Sequence, residues 1–130
     1  MIGELSHIGI AVRNLDRAQD VFYSLFGSKA HGDAATDEMR VSLVEVGDIS
    51  LELMEPVADK GVLAKFLEKR GEGIHHICFE VDDINAELQS LAGKGIELVD
   101  KEPRQGLEGK IAFLHPRSTQ GVLIELVQKE

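Results

Sequence analysis

The chain has 130 residues, a typical length for one domain with its own hydrophobic core. It is 43% hydrophobic and 28% charged, and its formal net charge of −9 argues against nucleic acid as a general partner. No run approaches the roughly 18 apolar residues of a membrane span, and the first residues lack the features of a signal peptide. We therefore expect no membrane partner. The single cysteine, Cys78, excludes an internal disulfide and indicates a reducing compartment, so we expect a cytoplasmic protein.

The first half of the chain predicts a strand, a helix and then a pair of strands. Alternating polarity indicates the strands, and apolar residues at helical spacing indicate the helix. The predicted elements are a strand at 5–12, a helix at 15–25, and strands at 39–46 and 48–55. Asn14 is suited to cap the start of the helix and Gly27 to end it. His31 lies in a predicted loop.

The second half predicts the same order of elements after one additional helix. The predicted elements are a helix at 59–70, a strand at 75–81, a helix that starts near 83, and strands at 96–99, 110–114 and 121–127. The glycines of the segment 71–73 indicate a hinge between the halves. Residues 100–109 contain one proline and two glycines, and they predict a loop.

The two halves repeat one another, and this repeat predicts the fold class. Each half opens with a histidine on a strand and closes with a glutamate between aliphatic residues. The repeated residues are His7 and Glu52 in the first half, and His76 and Glu125 in the second. We predict an α+β fold of two tandem βαβββ modules, at about 3–57 and 72–130, whose curved sheets form a cleft. Residues 1–130 are expected to be one domain.

Side-chain alternation places each of these four residues on the strand face opposite an aliphatic stripe. His7 shares its face with Gly9 and Ala11, while Ile8 and Ile10 point the other way. A carboxylate within an aliphatic strand is costly to bury unless it is paired or binds a metal. A lone strand histidine or glutamate is more often structural, but two of each in a repeat predict a metal site. Mixed nitrogen and oxygen donors suit Co, Ni, Zn, Mn or Fe.

Charge is distributed unevenly along the chain. Residues 1–100 carry 9 Lys and Arg against 19 Asp and Glu, whereas residues 101–130 carry 5 against 4. The last thirty residues are therefore where we expect an anionic ligand to bind. On charge alone, the basic candidates are Lys101, Arg104, Lys110 and Arg117.

Several runs of the sequence resemble the vicinal oxygen chelate superfamily of glyoxalases, bleomycin resistance proteins and dioxygenases. They are most similar to the methylmalonyl-CoA epimerases. The most specific runs are Lys-Phe-Leu-Glu-Lys-Arg-Gly-Glu-Gly-Ile-His-His-Ile at 65–77 and Gly-Val-Leu-Ile-Glu-Leu-Val-Gln at 121–128. Shorter matching runs lie at 7–12, 52–56 and 113–118. The resemblance covers essentially the whole chain and implies the vicinal oxygen chelate fold.

The resemblance also implies a reaction and a set of site residues. The implied metal ligands are His7, Glu52, His76 and Glu125. The implied reaction interconverts the (R) and (S) forms of an acyl-CoA substrate, methylmalonyl-CoA, by removing the proton next to the thioester. Glu125 would act as one acid/base as well as a ligand. The second catalytic glutamate of the family falls near Thr36 here, so Asp37 or Glu38 would supply that carboxylate. A homodimer is also expected from the resemblance.

Two other functions stay open at this stage. A glyoxalase I-type lactoylglutathione lyase would use the same metal ligands and a similar proton transfer. A binding protein without catalysis would sequester a small molecule, although such members of the superfamily generally lack the four-ligand set. Activity on the two substrates separates the first alternative from the epimerase, and metal binding argues against the second.

Overall fold

A computed structural model describes every residue from Met1 to Glu130 and contains three α-helices and eight β-strands. The elements are β1 (Ile2–Ala11), α1 (Leu15–Phe26), β2 (His31–Ala35), β3 (Met39–Val46), β4 (Ile49–Pro56), α2 (Val62–Arg70), β5 (Gly73–Val81), α3 (Ile84–Gly93), β6 (Arg104–Gln105), β7 (Gly109–Leu114) and β8 (Ile124–Lys129). The chain divides into two compact units. His7–His75 form the N-terminal unit, and Met1–Ser6 with His76–Glu130 form the C-terminal unit. The order of elements confirms the α+β class and the two βαβββ modules.

The N-terminal unit is a mixed sheet with a helix against each face. Strands β2, β3 and β4 are antiparallel neighbours, and residues 7–11 of β1 pair in parallel with β4. Helix α1 covers one face through a core of aliphatic residues; this core includes Leu15, Ala18, Val44, Leu51 and Leu53. Helix α2 packs on part of the other face; its core includes Ala11, Val41, Met54, Leu63 and Leu67. Helix α2 thus lies toward one end of the face that carries His7 and Glu52.

The C-terminal unit repeats this arrangement with fewer helices. Strand β5 pairs in parallel with β8, and β8, β7 and β6 follow as antiparallel neighbours. Helix α3 packs on one face of these strands; the core residues include Ile84, Leu88, Leu91, Ala112, Leu114 and Leu126. The opposite face carries His76, Cys78 and Glu125. None of the three helices is both long and apolar enough to cross a membrane.

Each module fixes the start of its helix with the same pair of hydrogen bonds. Asn14 caps α1 by accepting a hydrogen bond from the amide of Arg17, and Asp83 caps α3 in the same way. A strand residue then accepts from the first amide of each helix, because the first turn has no partners of its own. Glu55 on β4 accepts from Leu15 at 2.9 Å, and Gln128 on β8 accepts from Ile84 at 2.9 Å. Glu55 and Gln128 stand three residues after the two repeated glutamates, so the repeat extends to these contacts.

Most of the predicted elements are confirmed, with three corrections. Helix α1 is capped by Asn14 and ends at Gly27, whose φ of 72° suits a glycine. His31 was predicted to lie in a loop but stands in β2, opposite Leu43 of β3. Residues 96–99 do not form a strand and contribute only an isolated bridge from Leu98. The predicted loop at 100–109 contains the short strand β6. Both missed strands are polar edge strands without an alternating pattern.

We predict that Glu55→Ala lowers the free energy of unfolding by about 1–2 kcal/mol, because it leaves the first amide of α1 without its acceptor. Glu55 also pairs with Arg40 at 3.1 Å, and its side chain is 19% exposed. Urea unfolding measures the change. The matched control is Glu102→Ala, which removes an exposed acid in a loop. Equal stability of the two variants would contradict the anchoring role of Glu55.

Candidate metal centre

The first predicted ligand pair lies on one face of the N-terminal unit. Glu52 stands beside Gly9 across the parallel β1–β4 pairing, so it reaches diagonally toward His7, two residues away on the same face. The distance from His7 Nε2 to Glu52 Oε1 is 3.7 Å, and the side chains are 7% and 13% exposed. The fold therefore brings His7 and Glu52 together in a nearly buried pair.

The second predicted pair has the same construction in the C-terminal unit. Glu125 stands beside Cys78 across the parallel β5–β8 pairing, two residues from His76 on the same face. The distance from His76 Nε2 to Glu125 Oε1 is 3.1 Å, and the side chains are 3% and 8% exposed. Gly9 in the first module and Cys78 in the second hold equivalent positions. Both residues are small, so a small side chain stands beside the glutamate in each module.

The chemistry of the donors fits a divalent metal ion. Each unit offers one imidazole nitrogen and one carboxylate oxygen on the sheet face opposite α1 or α3. Burying a carboxylate there costs free energy unless a cation or a donor compensates it. A set of imidazole and carboxylate donors suits first-row metals better than it suits calcium. It also differs from the cysteine ligands of a thiolate site. Each of the two pairs therefore offers donors that such an ion could bind.

A hydrogen-bonded chain of polar residues, which was not predicted, lies beside His7. Ser50 of β4 is the direct neighbour of His7 on one side and of Glu45 on the other. The Ser50 hydroxyl donates to Glu45 at 2.7 Å, and Glu45 also lies 2.7 Å from His31 Nε2. Glu45 is 47% exposed and His31 is 52% exposed. Counting strand faces in β3 and β4 would have placed Glu45 on the ligand face, although the edge strand with His31 carries no such pattern.

An aromatic residue lies beside the pair in the C-terminal unit. Phe113 of β7 stands opposite Glu125, and its ring meets the ring of His76 edge-on with centroids 5.7 Å apart. Such contacts contribute about 0.5–1.5 kcal/mol and restrict how the imidazole can rotate. The equivalent residue of the first module is Leu43, opposite Glu52. The second histidine thus has an aromatic neighbour, whereas the equivalent position of the first module is aliphatic.

The two predicted acid/base candidates lie in an exposed turn between β2 and β3. The hydroxyl of Thr36 accepts hydrogen bonds from the amides of Glu38 and Met39 and holds this turn. Met39 pairs with Pro56, four residues along β3 from the pairing of Leu43 with Glu52. Four residues of strand span about 13 Å. Asp37 and Glu38 are therefore not brought beside Glu52.

Glu38 makes a local contact that gives it a structural role. Its carboxylate lies against Gly61, the residue that precedes the first turn of α2. A negative charge at the start of a helix is favourable, because the helix dipole places partial positive charge there. Asp37 has no comparable contact. The catalytic role of both residues stays a prediction.

Comparison with known proteins assigns the chain to a family. Residues 6–113 match the Glyoxalase/Bleomycin resistance protein/Dioxygenase superfamily. The mitochondrial methylmalonyl-CoA epimerase of Dictyostelium discoideum is 39% identical over 98% of this chain and 80% of its own length. The chain belongs to the methylmalonyl-CoA epimerase family of this superfamily.

Solved structures support the same assignment at the level of the backbone. The methylmalonyl-CoA epimerase of Mycobacterium tuberculosis matches with a TM-score of 0.93 and 34% identity, over 99% of this chain and 89% of that one. A variant of the Streptomyces coelicolor methylmalonyl-CoA epimerase matches with a TM-score of 0.92 and 32% identity, over 99% and 96%. That structure is a complex with 2-nitronate-propionyl-CoA. The vicinal oxygen chelate fold predicted from the sequence is thus confirmed.

Proposed function

We propose that this protein is a metal-dependent epimerase that interconverts the (R) and (S) forms of methylmalonyl-CoA. The observation that carries the proposal is the repeated His–Glu pair. Both pairs are nearly buried, and both stand at the same positions of their modules, in a chain that belongs to the epimerase family. Burying a carboxylate next to a histidine costs free energy of folding. Binding a catalytic metal would explain why the chain contains two such pairs.

We propose that His7, Glu52, His76 and Glu125 bind one divalent metal ion, which could be Co, Ni, Zn or Mn. The imidazole and carboxylate donors suit each of these ions. Such an ion supplies Lewis acidity, which lowers the energy of the negative charge that develops when a C–H bond beside a thioester loses its proton. The four residues would orient the ion, while Phe113 limits rotation of His76.

Glu125 would also act on the proton itself. A carboxylate can accept the proton from one face of the α-carbon and return it, provided that it lies within hydrogen-bonding reach. Its low exposure keeps bulk water away from this transfer. An acid on the other face must deliver a proton to complete the inversion. For this second role we propose Asp37 or Glu38, on the basis of the resemblance alone.

The epimerase proposal predicts that Co(II)-loaded protein exchanges the α-proton of methylmalonyl-CoA for deuterium in D₂O. Proton NMR follows the loss of the signal, with metal-stripped protein as the control. Exchange that depends on the metal supports enolate chemistry on this substrate. Exchange no faster than in the control would contradict the proposal. The glutathione hemithioacetal of methylglyoxal would then test the lyase, and ligand binding without turnover would indicate the binding protein.

The four-ligand proposal predicts one equivalent of Co(II) per chain. His7→Ala and His76→Ala should each weaken binding of that ion by at least about 100-fold, since loss of even a supporting contact costs 10- to 100-fold. Calorimetric titration of stripped protein measures both the stoichiometry and the affinity. His115→Ala removes a histidine outside the two pairs and should leave binding unchanged. Two equivalents per chain, or insensitivity to either substitution, would show that the pairs do not share one ion.

The second acid/base can be identified by separating exchange from inversion. If Asp37 or Glu38 fills this role, its amide variant, Asp37→Asn or Glu38→Gln, should slow epimerisation by about 100-fold or more. Exchange of the α-proton should persist for the one epimer that Glu125 deprotonates. Chiral analysis of the product, alongside NMR, distinguishes the two rates. If both variants epimerise normally, neither residue is the acid, and Glu45 is the carboxylate on the His7 face to test next.

The homodimer and the cytoplasmic location belong to the same proposal. The homodimer is implied by the family resemblance and the location by the sequence, and each needs its own measurement. Sedimentation velocity gives the mass of the metal-loaded protein in solution. The proposed substrate is an acyl-CoA, and the proposal includes no nucleic-acid partner and no membrane partner.

A further inference from the structure

We propose that Arg104 binds an anionic group of the substrate next to the His76–Glu125 pair. The inference rests on the proposed function, since it names a residue that recognises the charged part of an acyl-CoA. The chemistry it identifies is a carboxylate or phosphate oxygen that pairs with a guanidinium. All the residues that carry the argument lie in the C-terminal unit.

The structure distinguishes among the basic residues of the last thirty positions. Arg104 stands opposite Ile111 in the β6–β7 pairing and therefore shares a face with Phe113 and Glu125, since side chains of one strand alternate. Lys110 stands next to Ile111 and points to the other face. Arg117 is held in a surface cluster, where it pairs with Glu97 at 3.2 Å. Among these three cations, Arg104 is the one on the ligand face.

Two contacts hold Arg104 in place on that face. Its Nε lies 3.2 Å from Asp100 Oδ1, while Asp100 Oδ2 accepts a hydrogen bond from the amide of Phe113 at 2.8 Å. Its guanidinium carbon lies 5.6 Å from the centre of the Phe113 ring, within the range of a cation–π contact. Asp100 is thus fixed by the backbone of β7, and Arg104 is fixed by Asp100. The guanidinium is positioned in advance of any ligand.

The position suits an anion that approaches the ligand pair. The Phe113 ring contacts both Arg104 and His76, so one aromatic ring lies between the guanidinium and the His76 imidazole on this face. Asp100 contacts the Nε edge of the guanidinium, whose terminal nitrogens can form two parallel hydrogen bonds to a carboxylate or phosphate. A lysine could not reproduce this flat, two-pronged geometry. In a chain of net charge −9, a fixed cation on this face favours an anionic ligand locally.

Stability does not account for this arrangement. Arg104 is 56% exposed and belongs to a strand of only two residues. Exposed ion pairs contribute about 0–1 kcal/mol to folding, because water screens them and both side chains lose freedom. An arginine that is ordered by two neighbours, yet adds little to stability, is available for binding.

The test measures the affinity of metal-loaded protein for malonyl-CoA by calorimetry, with Arg104→Gln as the variant. We expect about a tenfold weaker affinity, which corresponds to the loss of one charge-assisted contact at a half-exposed site. Lys110→Gln is the matched control, since it removes the same charge from the opposite face of the same hairpin. Arg104→Lys should recover only part of the affinity. Unfolding curves confirm that all three variants remain folded.

A second ligand identifies which anionic group Arg104 contacts. Malonyl-pantetheine keeps the carboxylate but lacks the phosphates of coenzyme A. A loss of affinity for both ligands supports contact with the carboxylate, and a loss for malonyl-CoA alone supports contact with a phosphate. Equal affinities of Arg104→Gln and wild type, or an equal loss in Lys110→Gln, would overturn the inference. Because binding is measured without turnover, absence of proton exchange in wild type would count against the epimerase and not against Arg104.

Discussion

The cost of burying carboxylates is the constraint on which the rest of the site depends. Glu52 and Glu125 occupy the middle of sheet faces, where water reaches 13% of one side chain and 8% of the other. Replacing a buried ion pair with apolar residues is often neutral or stabilising, so such residues are retained for reasons other than stability. In each unit a histidine two residues away on the adjacent strand partly compensates the glutamate. The fold must keep the histidine strand and the glutamate strand in register, since a slip of one residue would turn the glutamate to the opposite face.

The helix anchors explain how the register is held. Glu55 and Gln128 bond to the first amides of α1 and α3 from the same strands that carry the repeated glutamates. Because side chains alternate, a residue three positions after the glutamate points to the helix-covered face. A shift of the strand would therefore break the helix anchor and move the glutamate off the ligand face together. One backbone alignment serves the packing of the helix and the geometry of the site.

The sequence predicted the parts of the structure that produce a periodic or repeated signal. Helix α1, its caps at Asn14 and Gly27, and the hairpin at 39–55 follow from alternation and turn chemistry, and the repeat identified both His–Glu pairs. The edge strands β2 and β6 were missed, because they are short and polar and are defined by their neighbours. Glu45 lies on the predicted strand 39–46 and could have been assigned to the His7 face by counting strand faces, whereas its partner His31 lies on the missed strand β2. The family's second glutamate falls near Thr36, and the pairing of β3 with β4 places Met39, the first strand residue after that turn, about 13 Å along the strand from the pairing of Leu43 with Glu52.

Because the chain contains a repeat, its two halves can be compared position by position. Equivalent positions have similar backbone structure but different side chains. Gly9 corresponds to Cys78, Leu43 to Phe113, and Glu55 to Gln128. Each half therefore indicates which side chains the equivalent position of the other half can accept. Glycine at position 78 would remove the only thiol in the chain and make this position identical to Gly9 of the first half. Exchanging equivalent residues between the halves therefore tests which side chain each position requires.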